Sequence, residues 1–243
     1  MLLNPHFCED CSTSCPLKVS IFILMNFWYS LILNKCILIP AITGLVRFGK
    51  ISRAFYPFVY CIWIGAITEI SSDILILNRH SNAIITDIYI LVESLFFIWL
   101  FNNWKLFYRN KVYFKVIGAC LLVGWTIEML LFATPIYFNS YFRIGDSFLV
   151  VIMSITIMNR LITLERKSLL KNAVFLFCIS FVFYYTFQIL VEVFMLYGES
   201  FKIRMFSRNV YYISTFTNFI TNLLYTIAIL WIPARQNFTI PSS

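Results

Sequence analysis

Residues 82–104 read NAIITDIYILVESLFFIWLFNNW, and only Asp87 and Glu93 interrupt them with charge. At 1.5 Å per residue, a run of about 20 residues crosses the hydrocarbon core of a bilayer. The apolar positions do not alternate, and the run is about twice the length of a barrel strand. In lipid an α-helix satisfies its own backbone, so this stretch is predicted to be a transmembrane helix.

Further runs of this kind lie at 20–46, 54–76, 112–134, 142–163, 171–197 and 209–232. The expected fold is therefore all-α: a polytopic transmembrane bundle of about seven helices. Composition agrees, with 60% of residues hydrophobic and 12% charged, against about a quarter charged in soluble domains. Connections are short, so residues 20–233 form one transmembrane domain, followed by a short cytoplasmic tail at 234–243. Pro57 falls in the first turn of its span, where proline is tolerated. Pro40 is expected to kink the first span, and Pro233 ends the last.

Residues 1–19 are a polar N-terminal segment, disordered or a misassigned start. They lack the basic opening of a secretory signal. Met25 is a second candidate start, which would leave residues 1–24 outside the native protein. The segment holds His6, Cys8, Cys11 and Cys15, a weak pattern without a second half-site. It favours a disulfide or an unstructured tail over a metal, and no cofactor is implied. Cys36, Cys61, Cys120 and Cys178 lie within apolar runs and read as packing residues.

The net charge is +8. The cations sit in short loops, so they are read as topology signals and not as a nucleic-acid surface. The connections after spans one, three and five, with the C-terminal tail, carry twelve of the nineteen Lys and Arg. The positive-inside rule then places the C-terminus inside and the N-terminus outside.

Seven of the eleven acids fall inside or at the edge of spans: Glu69, Asp73, Asp87, Glu93, Glu128, Asp146 and Glu192. Each costs about 2.5–3.5 kcal/mol at a helix centre if it faces lipid. All lie at the midplane or in the half expected to be outer. They suggest a polar cavity open to that face, with Glu69, Asp73, Tyr89, Glu93, Glu128, Glu192, Asn218 and Asn222 as candidate lining. Glu69 and Asp73 are four apart on one helix face, as are Tyr89 and Glu93. Thr215, Asn218 and Asn222 form a stripe on the last span. Lys35 lies mid-span and needs a counter-charge, for which Glu93 is nearest in depth. Arg143 and Asp146, three apart, are expected to pair locally. Asp87 and Asp146 also suit helix N-termini. The alternative is structural: polar groups bonding helix to helix.

Several chemistries are argued against. With only His6 and His80, a three-histidine zinc site cannot form, and no HExxH pair is present. No GxSxG elbow or phosphate-binding loop is found. The last span has no lysine, unlike retinal proteins.

The stretches Tyr56-Pro57-Phe58-Val59-Tyr60 leading to Glu69, Ser81-Asn82-Ala83 leading to Ile88-Tyr89-Ile90-Leu91-Val92-Glu93, and Thr221-Asn222-Leu223-Leu224-Tyr225 with Ala228-Ile229-Leu230-Trp231-Ile232-Pro233 carry a resemblance. From about Met25 to the C-terminus the chain resembles a family of uncharacterised multi-pass, seven-helix membrane proteins of Bacteroidota-type bacteria. The resemblance implies a bacterial inner membrane and no particular activity.

Three functions follow from the placement of the acids. The first is a ligand-sensing or ligand-binding seven-helix protein. Its outward acidic pocket would take a small cationic or polar ligand, and its basic loops would meet anionic lipid or a cytoplasmic signalling partner. The second is a small transporter of cations, protons or amines, against which paired broken helices are missing. The third is a membrane enzyme using carboxylates as acid and base, for which no nucleophile is identified.

Overall fold

A computed structural model of the chain describes residues 33, 35–78, 80–108, 111–132, 140–164, 169, 172–198 and 204–232. Among these residues are seven α-helices and no strand: α1 Leu38–Arg47, α2 Tyr56–Leu77, α3 Ala83–Asn103, α4 Lys111–Phe132, α5 Ser140–Leu164, α6 Ala173–Gly198 and α7 Arg204–Trp231. Helices α2 to α7 are long and apolar enough to cross a bilayer. They match the last six expected spans, with ends displaced by a few residues. The all-helical, multi-pass membrane fold expected from the sequence is thus the fold observed.

The first expected span is described only over its second half. A 3-10 turn, Lys35–Ile37, runs directly into α1. The change of winding comes just before Pro40, which lacks the N–H that would complete the ladder at that turn. Pro40 sits in the first turn of α1, close to this change of winding. His6, Cys8, Cys11, Cys15 and the tail at 234–243 lie outside the described residues.

Each helix packs on the next in sequence, and α7 closes the ring against α1. Helix α3 also meets α5, leaving α4 outermost and the least enclosed of the spans. Helix α6 is the most enclosed. Its Phe177 and Phe181 reach Phe58 of α2, Phe101 of α3 and Tyr225 of α7.

These contacts put the aromatic core at one end of the bundle, where α2, α4 and α6 begin and α3, α5 and α7 finish. Phe55, Phe58, Phe101, Phe177 and Phe181 are fully buried there. Rings meet edge to face, as their quadrupoles favour: Phe58 with Phe177 at 4.4 Å, Phe97 with Phe181 at 4.8 Å and Phe101 with Trp104 at 5.6 Å between centroids. Arg47, Lys50, Arg53, Lys105 and Arg160 mark this end, here called the basic end. The seven span carboxylates occupy the middle and the opposite, acidic end.

Helix termini leave unpaired backbone groups that are costly in an apolar setting, and side chains from other elements meet several of them. Arg47 of α1 donates to the last carbonyls of α7: Ile229 at 3.0 Å, Ile232 at 3.2 Å, and Leu230. Glu128 of α4 accepts from Tyr141 N–H at 3.1 Å and from Phe142 N–H, both in the first turn of α5. Asn172 accepts from Val174 N–H at 2.9 Å and caps α6. Helix α3 ends with Lys105 at φ 59°. The Lys105 and Leu106 N–H groups turn back to the carbonyls of Asn102 and Phe101, a Schellman closure made without glycine. Arg160 of α5 donates to the Lys105 carbonyl at 3.1 Å and holds that turn. Indoles add two ties, Trp63 Nε1 to the Ala41 carbonyl and Trp125 Nε1 to the Asp87 carbonyl, both 3.1 Å.

Two outcomes follow from the caps between helices. Arg47→Ala should lower the unfolding free energy of the reconstituted protein by about 1–2 kcal/mol, because three carbonyls lose a charged donor. Glu128→Ala should cost about 1–2 kcal/mol, and Glu128→Gln less, since a carboxamide oxygen still caps. Thermal unfolding in lipid nanodiscs checks both; an unchanged midpoint in either alanine variant counts against that cap.

Candidate functional site: a carboxylate and tyrosine cluster in the bundle

The acids of the acidic half fall into distinct settings. Glu69 and Asp73 lie one helical turn apart on α2, and both pair with Lys35, Glu69 at 3.7 Å. The expected partner of Lys35, Glu93, is not the one it takes. Helix α2 adjoins α1 in the ring, and its two acids meet the lysine first; Glu93 is on α3, one helix further round. Asp87 is buried near the start of α3.

Glu192 of α6 is the most heavily bonded. It accepts from Ser140 Oγ at 2.9 Å and from Gln188 Nε2 at 2.9 Å, and it forms an ion pair with Arg143 at 3.1 Å. This corrects the expected local pairing of Arg143 with Asp146. Arg143 instead reaches across the α5–α6 contact to Glu192. Glu128, by capping α5, is committed next to the same junction.

Glu93 sits at the middle of α3. Tyr89 Oη donates to Glu93 Oε1 at 3.3 Å, from one turn earlier on the same helix. Arg143, Asp146, Tyr184, Tyr185 and Tyr225 all lie within electrostatic reach of Glu93. Four helices thus converge here: α3, α5, α6 and α7. Asp146 and Tyr185 are each 3% exposed. Asp146 Oδ1 and Tyr185 Oη make no well-formed hydrogen bond, although Ser94 lies beside Asp146 and Tyr185 beside Glu93. Burying such atoms unpaired costs about 1–3 kcal/mol each. Glu93, Tyr89 and Tyr184 retain part of their surface.

Gly65 of α2 brings its backbone against Tyr89. A Cβ at residue 65 would stand 2.7 Å from Tyr89 Oη and 3.1 Å from Ile37 Cδ1. The missing side chain is what lets the tyrosine lie beside Glu93.

The polar stripe of α7 is present but turns largely on itself. Thr215 and Asn222 are buried and Asn218 is half-buried. Asn222 Nδ2 donates to the Asn218 carbonyl and to Asn218 Oδ1, both at 3.0 Å. Among the described residues, no hydrogen bond or ion pair joins this pair to a carboxylate.

The sequence-predicted residues therefore form separate groups: Lys35 with Glu69 and Asp73; Tyr89 with Glu93; Glu128 and Glu192 at the start of α5; Asn218 with Asn222. Sequence reasoning placed Asp146 at a helix end and did not single out Gln188, Tyr184, Tyr185 or Tyr225. Gln188 and Glu192 are spaced four apart on one face, a signal that could have found the first of these. The adjacent tyrosines at mid-span were another. Among the described residues, no group of three His, Cys, Asp or Glu is placed to hold a metal.

Chemically the centre is an acceptor site. Two carboxylates, Glu93 and Asp146, stand among phenol hydroxyls, while the nearby cation Arg143 is already bonded to Glu192. No protein-family model, curated protein or solved structure matches the chain.

Proposed function

We propose that this is a ligand-binding or ligand-sensing seven-helix protein of a bacterial inner membrane, of the Bacteroidota-type family its sequence resembles. Its N-terminus is outside, its C-terminus is inside, and the acidic half forms a pocket reached from outside. The observation that carries this reading is charge. Seven carboxylates lie in the spans, and the ion pairs among the residues whose side chains are described, from Lys35 and Arg143, take up Glu69, Asp73 and Glu192 and leave Glu93 and Asp146 outside them. Intramembrane acids of this kind mark substrate, ion or proton sites by default. A small cationic or polar ligand would supply the missing charge.

The aromatic packing at the basic end supports a pocket over a conduit. Phe58, Phe101, Phe177 and Phe181 are buried there and pack on one another across α2, α3 and α6. The cations of that end suit anionic lipid or a cytoplasmic signalling partner.

Membrane-impermeant thiol labelling tests the reading in intact cells, using a cysteine-free background. Glu93→Cys should label from outside, and Phe181→Cys should label from neither face. Labelling of residue 93 from both faces favours a transport path. No labelling at residue 93 in a folded, inserted protein removes the pocket.

A further inference from the structure

We propose that the Glu93–Asp146 centre binds a primary ammonium group carried on an apolar body. This rests on the reading of the acidic half as a ligand pocket and adds the ligand's chemistry.

The first ground is unmet acceptors. Asp146 Oδ1 and Tyr185 Oη are buried without a well-formed hydrogen bond, with Ser94 beside the first and Glu93 beside the second as polar neighbours. An ionised carboxylate can only accept, and a phenol oxygen can accept as well as donate. The centre therefore wants N–H donors. A primary ammonium brings three of them on one compact charge.

The second ground is that the two cations whose side chains are described in this half, Lys35 and Arg143, are already engaged. Lys35 is held by Glu69 and Asp73. Arg143 is held by Glu192 at 3.1 Å, and Glu192 is itself fixed by Ser140 and Gln188. Arg143 is near enough to Glu93 to act on it electrostatically, yet two carboxylates share that influence.

The third ground is the wall. Tyr185 packs edge-on against Phe97 at 5.6 Å and against Tyr184 at 5.0 Å. Tyr225 approaches from α7 and packs on Phe181 at 5.8 Å. Aromatic surface beside carboxylates suits a ligand with an apolar body and one charged head, and rings also attract cations. A hydrated inorganic ion would leave that surface without a partner.

The experiment uses the full chain in lipid nanodiscs, with 2-phenylethylammonium chloride as probe. The neutral 2-phenylethanol, the anionic phenylacetate (sodium salt) and sodium chloride at equal ionic strength serve as comparisons. Thermal unfolding and titration calorimetry are read together. The ammonium probe should raise the unfolding midpoint saturably, and the other three should not. Glu93→Gln and Asp146→Asn should each weaken binding on the order of tenfold or more, as loss of one partner of a buried charge pair does. Tyr185→Phe, which keeps the ring and its packing, should weaken it by roughly threefold. It keeps the test decisive if a carboxylate variant does not fold.

Equal stabilisation by sodium chloride would overturn the proposal. So would binding of 2-phenylethanol or phenylacetate in preference to the ammonium, although the pocket would then stand. If no probe binds while Glu93→Cys still labels from outside, the cavity stands and the ammonium inference fails. If neither binding nor labelling occurs, both fail.

Discussion

A carboxylate inside a membrane span has to find a partner, and this requirement orders the acidic half of the bundle. Left facing lipid, each of the seven acids would cost about 2.5–3.5 kcal/mol near a helix centre. The protein meets most of that cost by joining helices through them. Lys35 draws Glu69 and Asp73 and so ties α2 to the turn before α1. Glu128 uses its carboxylate to close the open N-terminus of α5 from α4. Glu192 gathers Ser140, Arg143 and Gln188, and so binds α6 to α5. Sites that look alike in sequence thus have different roles in the structure.

The other half of the molecule is built on a different principle. Aromatic rings from α2, α3, α6 and α7 fill the basic end, where dispersion and ring geometry replace hydrogen bonds. Helix α6 belongs to both halves. Phe177 and Phe181 serve the aromatic core, Tyr184 and Tyr185 the centre, and Gln188 and Glu192 the polar junction beyond it. One helix therefore carries a graded environment along its length. The atoms of Asp146 and Tyr185 that make no well-formed hydrogen bond lie on the polar side of that core.

Much of the fold was legible because hydropathy and length report spanning helices directly. Runs such as 82–104 needed no tertiary knowledge to be read as helices. The one-sided distribution of acids was equally visible, since depth follows from position in a span. What sequence could not supply was rotation of each helix about its axis. That is why Lys35 was matched by depth to Glu93, when the neighbour in the ring is the face of α2 bearing Glu69 and Asp73. It is also why Arg143 was matched to Asp146 three residues away, when Glu192 faces it across a helix contact. Tyr184, Tyr185 and Tyr225 were hidden for a related reason. Tyrosine is common in this chain, and only packing separates a ring facing the centre from one facing lipid.

The central claim is that tied carboxylates hold the bundle while Glu93 and Asp146 are kept for binding. The most direct measurement is a comparison of unfolding midpoints, without ligand, for Glu192→Gln, Glu93→Gln and Asp146→Asn in the same lipid nanodiscs. Binding groups left unsatisfied are held at a cost to stability. The account predicts a lower midpoint for Glu192→Gln and an unchanged or higher one for the other two. Losses of equal size in all three variants would contradict it, and would make the whole set structural.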